Sequence, residues 1–446
     1  MYVAKVELSG IRGFVGKRSV NLTLPARGSW TVLAGRNGSG KTTLLQALAL
    51  TLAGPSVARS LVADFGGWLT SRASSGWVAA EAHRDETADV FSGPGRTPQG
   101  PVLLGLEWQR PPVQSGATPE TQRPSMVTFG EGLGPERGPW AENPRGWFCA
   151  GYGPFRRLVG GSGEAQRLML AAGPAGRLAT LFHEDASLAE GVSWLTDLHL
   201  RRLERRPGAA ALLKAVTALL SDGLLPDGFE ARRVDSQGLW VAKKGLKRTY
   251  PLREMSDGYR TVAALVLDLA RQIQGAYGSL TTAPTDDGGV AVTAPGVVLI
   301  DEVDAHLHVT WQRNIGGWLR RHFPNVQFIV SSHSPYICQA ADPGGLIRLP
   351  GPDEQRPPEV VDDELYQRIV YGTGDDAALS ALFGLETPYS ERGEQKRQRL
   401  VELERKVYAG TASEAEAAEY GKLSALLASS LETRVTEVAA RLGGEG

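Results

Sequence analysis

Cysteine is scarce: Cys149 and Cys338 are the only two in 446 residues, and they lie far apart. That excludes a disulfide framework and a cysteine-built zinc site, and it fits a reducing cytosol, the expected cytoplasmic location. Excess charge is missing too, with 48 basic and 49 acidic residues giving a net charge of −1. There is no global basic signature, so nucleic-acid binding has to use a local patch. No apolar run is long enough to span a bilayer, and no membrane partner is expected. Met1 to Leu8 alternates polar and apolar residues like a strand and lacks a signal-peptide layout. Sustained heptads are absent, which excludes a long inserted coiled-coil arm. What remains is an ordinary globular composition, 42% hydrophobic and 22% charged. The length leaves room for one large domain and one or two smaller ones.

One stretch organises the rest: Gly35-Arg36-Asn37-Gly38-Ser39-Gly40-Lys41-Thr42-Thr43. Gly35, four residues, then Gly40-Lys41-Thr42 is P-loop spacing. The apolar run Trp30 to Ala34 predicts a buried strand before it, and Leu44 to Leu52 predicts a helix after it, the context the motif requires. Glycines let the backbone wrap a phosphate, and the amides of Asn37 to Thr43 and the helix N-terminus point positive dipoles at it. Lys41 would reach the β- and γ-phosphates of ATP, and Thr42 would ligate Mg²⁺. Ahead of the loop, Arg12 in Ser9-Gly10-Ile11-Arg12-Gly13-Phe14 has two readings: a group framing the base and sugar, or a surface arginine.

Glycine and proline are dense from about Gly54 to Pro144, with short apolar runs between, which predicts a small antiparallel β-lobe. A buried strand follows at Trp147 to Tyr152. Gly163 to Asp222 reads as helical. Arg201, Arg202, Arg205, Arg206 and Lys214 there form either a phosphate-contacting face or a solvated helix end. Glu230 to Leu252 reads as strands. Ser256-Asp257-Gly258-Tyr259 opens a long apolar helix. Val297 to Ile300 then predicts a strand ending in Asp301-Glu302, where Asp301 can hold Mg²⁺ and Glu302 can polarise an attacking water as general base. Trp311 to Phe323 reads as a helix, and Val326 to Ser332 as a strand ending at His333. Alternating strands and helices imply a mostly parallel sheet with helices packed on it. His306 and His308, two apart near Asp301 and Asp304, do not converge on one ion, so structural roles are expected. His83, His183, His199 and His322 read as ordinary. In the tail, Leu400, Leu403 and Val407 share a helix face, and Ser413 with Glu416 forms a capping box. Leu427, Leu431, Val435, Val438 and Leu442 recur at helical spacing, giving a hairpin whose stripe packs on its own domain or docks a partner.

These motifs, in this order, resemble the ABC-type ATPase superfamily. Ser256-Asp257-Gly258-Tyr259 stands where that family has its signature motif, Asp304 follows as in its D-loop, and His333 matches its switch histidine. Ser256 to Arg260, Asp301 to His308 and Ser332 to Pro335 look like the SMC/RecF/OLD branch. Tyr152-Gly153-Pro154-Phe155-Arg156-Arg157 and Leu382-Phe383-Gly384-Leu385 look similar to compact bacterial anti-phage ATPases such as PtuA of Septu and retron systems, which act with an HNH nuclease. For the family's Q-loop glutamine, Gln109 is a poorly placed candidate.

The resemblance implies an α/β ABC-type P-loop ATPase head with a mostly parallel central sheet, an antiparallel β-lobe, a helical lobe and a C-terminal helical hairpin. The ATPase domain would span 1–350, with the β-lobe about 54–150 and the helical lobe about 163–258, and a C-terminal helical region would span 351–446. The implied activity is Mg-dependent ATP hydrolysis, with Lys41, Glu302 and His333 catalytic. Ser256 and Gly258 of one protomer would close over the nucleotide on its partner, making a head-to-tail homodimer or higher homo-oligomer. The chain would control a nucleic-acid-directed nuclease partner of HNH type in anti-phage defence and touch nucleic acid through a local basic patch. The alternative is a RecF-like clamp of DNA repair or chromosome maintenance. An OLD-type enzyme with its own Toprim nuclease would need a Glu and an Asp-x-Asp on strands after His333, and Asp362-Asp363 and Asp375-Asp376 sit in helix-like or turn-like contexts.

Overall fold

The computed structural model describes residues 1–71, 73–111, 123–130, 134–156, 163–170, 173–385, 387 and 389–427. It divides into two compact units, Met1–Ala377 and Ala378–Gly446.

In the first unit a six-stranded sheet carries the site. Its order is Cys149–Tyr152, Gly296–Ile300, Val326–Ser332, Trp30–Ala34, Leu346–Arg348 and Glu359–Val360, parallel except for the last strand. These strands read as continuous Val/Ile/Leu-rich runs because both faces are covered. Residues 297 to 300 and 326 to 332 are buried throughout. The register aligns the carboxyl ends: Ile300 pairs with Val330 and Tyr152, and Ser332 with Ala34. Hence the P-loop, the acidic pair and His333 all emerge at one edge, where open α/β sheets bind ligands.

The P-loop helix, Lys41–Ala53, is buried on nearly every side. Its uninterrupted Leu/Ala surface suits a helix enclosed between two layers. One layer is the parallel sheet. The other is a five-stranded antiparallel sheet ordered Val20–Thr23, Tyr2–Ser9, Ser75–His83, Val102–Gln109 and Ser125–Phe129. The β-lobe therefore takes in both N-terminal strands, while Cys149–Tyr152 leaves it for the parallel sheet. Gln327, a buried polar residue in a central strand, accepts from Val3 N and donates to Val3 O, each at 2.8 Å, tying the two sheets together.

The helical lobe consists of Gly163–Leu170, Pro174–Phe182, Ala189–Leu203 and Ala209–Ser221, followed by the hairpin Phe229–Asp235 and Gly238–Lys243. The signature motif opens the helix Asp257–Tyr277, with Ser256 at its N-cap position. The first unit continues past residue 350 because Glu359–Val360 extends the sheet and Asp362 caps the helix Asp363–Val370 through Leu365 N at 2.8 Å. Asp376 likewise accepts from Thr373 N at 2.8 Å. Asp362 and Asp376 thus serve helix starts.

In the second unit, Glu391–Tyr408 is a helix that buries Leu403. A turn at Gly410 leads to a helical run over 414–427. The capping box forms as expected: Glu416 accepts from Ser413 N at 2.9 Å, and Ser413 Oγ accepts from Glu416 N at 3.3 Å. Leu431, Val435, Val438 and Leu442 of the expected stripe lie outside the described residues, as does Arg157. Among the described residues, no helix is long and apolar enough to cross a membrane.

Candidate active site

The P-loop backbone depends on glycine at two positions. Gly40 has φ +99°, and a Cβ there would stand 2.5 Å from the Phe14 ring. A Cβ on Gly35 would stand 2.5 Å from Leu349 O. Phe14 comes from the segment singled out before the loop, so that segment shapes the cradle. Lys41 Nζ points into the loop and donates to Gly35 O at 2.8 Å and Arg36 O at 3.3 Å. Burial lowers the Lys41 pKa, and Asp301, Glu302 and Asp304 pull it back up.

Two sequence-distant groups meet at the sheet edge. Thr42 Oγ1 donates to Asp301 Oδ2 at 2.6 Å. A hydroxyl and a carboxylate side by side are the hard oxygen donors that Mg²⁺ prefers, so this pair fits the ion. Ser331 Oγ donates to the other Asp301 oxygen and accepts from Glu302 N at 2.8 Å. Ser332 Oγ donates to Asp304 Oδ1 at 2.6 Å. The two serines thus orient the acidic pair and the D-loop aspartate from the neighbouring strand. Asp301 is buried, while the Glu302 side chain is exposed at the edge. His333 is also exposed, and its pKa is lowered, first by burial of the ring and then by Lys41. The lowered pKa favours the neutral imidazole, which can donate one hydrogen bond.

Arg12 reaches the P-loop helix: Nη1 donates to Thr43 Oγ1 at 3.3 Å, and the guanidinium lies 4.9 Å from the Trp68 ring centroid. Gln109 sits at the far end of a β-lobe strand with its amide on Glu107 at 3.1 Å. Among the described residues, no hydrogen bond ties its side chain to the P-loop. His308 Nδ1 accepts from Thr310 N at the start of the helix Val309–His322. Among the described residues, no group of three or more His, Cys, Asp or Glu side chains forms a metal cluster.

The signature residues stand elsewhere. Ser256 and Asp257 are exposed. With Asp227, Tyr259, His306 and Trp311 they line a cleft of about 560 Å³ that contains no P-loop residue. Ser256 makes no side-chain cap bond, so its hydroxyl and the first amides of a 21-residue helix face outward, suitable for an anion. Within one chain, the signature and the P-loop thus belong to separate surfaces.

Several residues went unassigned in the sequence. Ser331 and Ser332 leave a faint signal, two hydroxyls closing an apolar strand before a histidine. Arg18 leaves none. It is buried and donates to Gly13 O at 3.0 Å, Ser39 O at 3.4 Å, Pro350 O at 3.2 Å and Glu354 O at 3.0 Å, bracing the P-loop against the 350–354 segment. Arg156 is buried behind the acidic pair.

Comparison with known proteins agrees with this geometry. The family described as "AAA domain, putative AbiEii toxin, Type IV TA system" matches residues 188–339, and an AAA domain family matches residues 5–75. The Septu protein PtuA of Bacillus mycoides (strain KBAB4) is 24% identical over 336 residues, 75% of this chain and 38% of that protein. The Retron Ec83 probable ATPase of Escherichia coli is 39% identical over 89 residues, 20% of this chain and 15% of that protein. The solved SMC head bound to the C-winged helix domain of ScpA shares 17% identity with a TM-score of 0.48, covering 81% of this chain and 98% of that one. The aligned parts span less than half the length of these curated relatives. Over those spans the chain is similar in sequence to the Septu protein PtuA and to a retron probable ATPase, and parts of it match AAA domain families.

Proposed function

We propose that this chain binds and hydrolyses Mg-ATP at a site shared by two copies, and uses that cycle to control a nucleic-acid-directed partner nuclease of HNH type in anti-phage defence. The observation that carries the reading is the pairing of Thr42 with Asp301 beside Lys41 and an exposed Glu302, with Ser256 presented on a separate open cleft. Thr42 and Asp301 would hold Mg²⁺, which neutralises charge developing on the phosphates. Lys41 binds the β- and γ-phosphates, Glu302 takes the proton of the attacking water, and neutral His333 hydrogen-bonds the γ-phosphate. Arg12, held between Thr43 and Trp68, borders the base and sugar. The resemblance to Septu and retron ATPases supports the defence role and the cytoplasmic setting.

The test is complementation. Ser256→Arg and Lys41→Ala are each expected to be inactive alone. Mixed in equal amounts they should regain roughly a quarter of wild-type ATP turnover, because a head-to-tail heterodimer holds one intact site. No recovery on mixing, with wild-type turnover per chain independent of enzyme concentration, defeats the shared site.

Among the described residues, one groove supports a nucleic-acid contact. A groove of about 490 Å³ is lined by His199, Arg202, Lys214, Arg232 and Arg233, with no carboxylate in its wall. The structure sorts the basic run. Arg201 pairs with Asp197 at 2.7 Å and Arg206 with Glu204 at 3.1 Å on the solvated helix end, while Arg202 and Lys214 face the groove. Replacing Arg202 and Lys214 by Glu should weaken nucleic-acid binding across all sequences. The salt slope should fall by about one for each phosphate that is no longer neutralised. Binding titrations at several salt concentrations measure it.

A further inference from the structure

The acidic pair sits on a backbone that does not hold itself. Glu302 has φ +45°, a left-handed conformation that side-chain-bearing residues rarely adopt. Such a conformation persists only when its surroundings enforce it. On the amide side, three hydrogen bonds to Tyr152 and Ser331 do so. Asp301 N donates to Tyr152 O at 2.8 Å, Glu302 N donates to Ser331 Oγ at 2.8 Å, and Val303 N donates to Ser331 O at 3.0 Å. On the carbonyl side of the same turn, Ala305 N donates to Glu302 O at 2.9 Å, and one side chain bridges the consecutive carbonyls. Arg156 Nη1 donates to Asp301 O at 2.9 Å and to Gly153 O at 2.9 Å. Its Nη2 donates to Glu302 O at 2.9 Å and Val303 O at 3.3 Å.

We propose that Arg156 is a positioning residue for hydrolysis: its guanidinium fork grips the consecutive carbonyls of Asp301, Glu302 and Val303 and keeps Glu302 in the left-handed conformation that presents its carboxylate to the attacking water. The proposal rests on the hydrolytic reading above. Burying a cation is expensive, and an apolar side chain would fill the space at lower cost. Burial brings the Arg156 pKa down to about 10, so the group stays charged at neutral pH, helped by Asp304, Asp301 and Glu302. Its reach is set by the strand Cys149–Tyr152. Gly153 lies so close to Thr180 O that a Cβ there would stand 2.2 Å away, and the chain turns at once towards the acidic pair. Tyr152 OH also donates to Asp268 Oδ2 at 3.1 Å, inside the signature helix. The segment holding the general base is thus tied to the helix that begins at Ser256. A lysine could not reproduce this grip, since an ammonium is a point donor without a planar fork.

The experiment compares wild type, Arg156→Lys, Glu302→Gln and the double variant, measuring kcat, the affinity for a fluorescent ATP analogue and the thermal midpoint. Arg156→Lys should lower kcat by about 100-fold, the order expected when a catalytic group is misplaced by an ångström. ATP affinity should be unchanged, because no P-loop atom depends on Arg156. Adding Arg156→Lys to Glu302→Gln should cost nothing further, since the arginine acts through the glutamate. Wild-type-like kcat in Arg156→Lys, or a full additional loss in the double variant, overturns the proposal. So does a kcat loss that comes with weakened ATP affinity and a lower midpoint, which marks a structural role alone. If wild type itself turns over no Mg-ATP, the hydrolytic reading fails instead.

Discussion

Glu302→Gln should cut ATP turnover by on the order of 10² to 10⁴, the range a positioned general base supplies, while ATP still binds. Glutamine keeps the volume and the extended shape of glutamate, and the backbone bond from residue 302 N to Ser331 Oγ does not depend on the side chain. The phosphate-binding groups, Lys41 and the loop amides, are untouched. So are Thr42 and Asp301, the fitted Mg²⁺ donors. What disappears is an exposed carboxylate beside Asp301 at the sheet edge, able to accept a proton from water. Binding without turnover has a visible consequence if the site is shared: the ATP-bound dimer accumulates instead of cycling apart. Size-exclusion chromatography in Mg-ATP should show Glu302→Gln as a dimer, and steady-state phosphate release gives the rate. Turnover within a few-fold of wild type would remove Glu302 from the role of base. A monomer that holds ATP would sink the shared site but not the assignment of the base.

Lys41→Ala should fail one step earlier, at binding. The ammonium group sits inside the loop on the carbonyls of Gly35 and Arg36, placed to contact two phosphates of a bound triphosphate. A hydrogen bond to a charged group contributes about 1.5–3 kcal/mol. Losing two should weaken ATP by on the order of 100-fold or more. The alanine also removes the cation that Asp301, Glu302 and Asp304 act on, each of which raises the Lys41 pKa. Calorimetric titration with Mg-ATP measures the affinity. Two variants in one pocket should therefore separate cleanly: Lys41→Ala loses most of its ATP affinity and with it the ATP-dependent dimer, while Glu302→Gln binds and is trapped. ATP affinity in Lys41→Ala close to that of wild type would mean that the loop holds no triphosphate.

Much of the fold was legible because its strands are buried on both faces. Val297 to Ile300 and Val326 to Ser332 are apolar runs bounded by polar turns, and such runs announce parallel strands without reference to partners. The P-loop glycines are legible for a similar reason: Gly40 at φ +99° and Gly35 against Leu349 O are backbone requirements that residue type records directly. The β-lobe boundary was less clear. Nothing in Tyr2–Ser9 says that it pairs with Ser75–His83 rather than joining the parallel sheet. The buried Gln327 that ties that strand to the parallel sheet reads, in sequence, as one polar residue in an apolar run. The basic run between Arg201 and Lys214 shows the same limit. Its charges are visible in sequence, but which of them are neutralised within a helix turn and which face the groove is a matter of packing.

The order of the chain by itself determined the chemistry available here: a phosphate loop, an acidic pair after a strand, a serine-led helix and a histidine closing the next strand. Each is a local pattern, set by residues a few positions apart. Only the tertiary structure decided which groups meet. It brought Thr42 to Asp301, put Ser331 beneath the acidic pair, turned Ser256 away from its own P-loop and aimed Arg156 at the carbonyls of Glu302 and its neighbours. These contacts join residues far apart in the chain, and parallel register, not local preference, sets their distances. The run Tyr152 to Arg157 is visible as a motif, but nothing in it says that Arg156 serves the acidic pair, because the acceptors it finds are backbone carbonyls that every residue type carries.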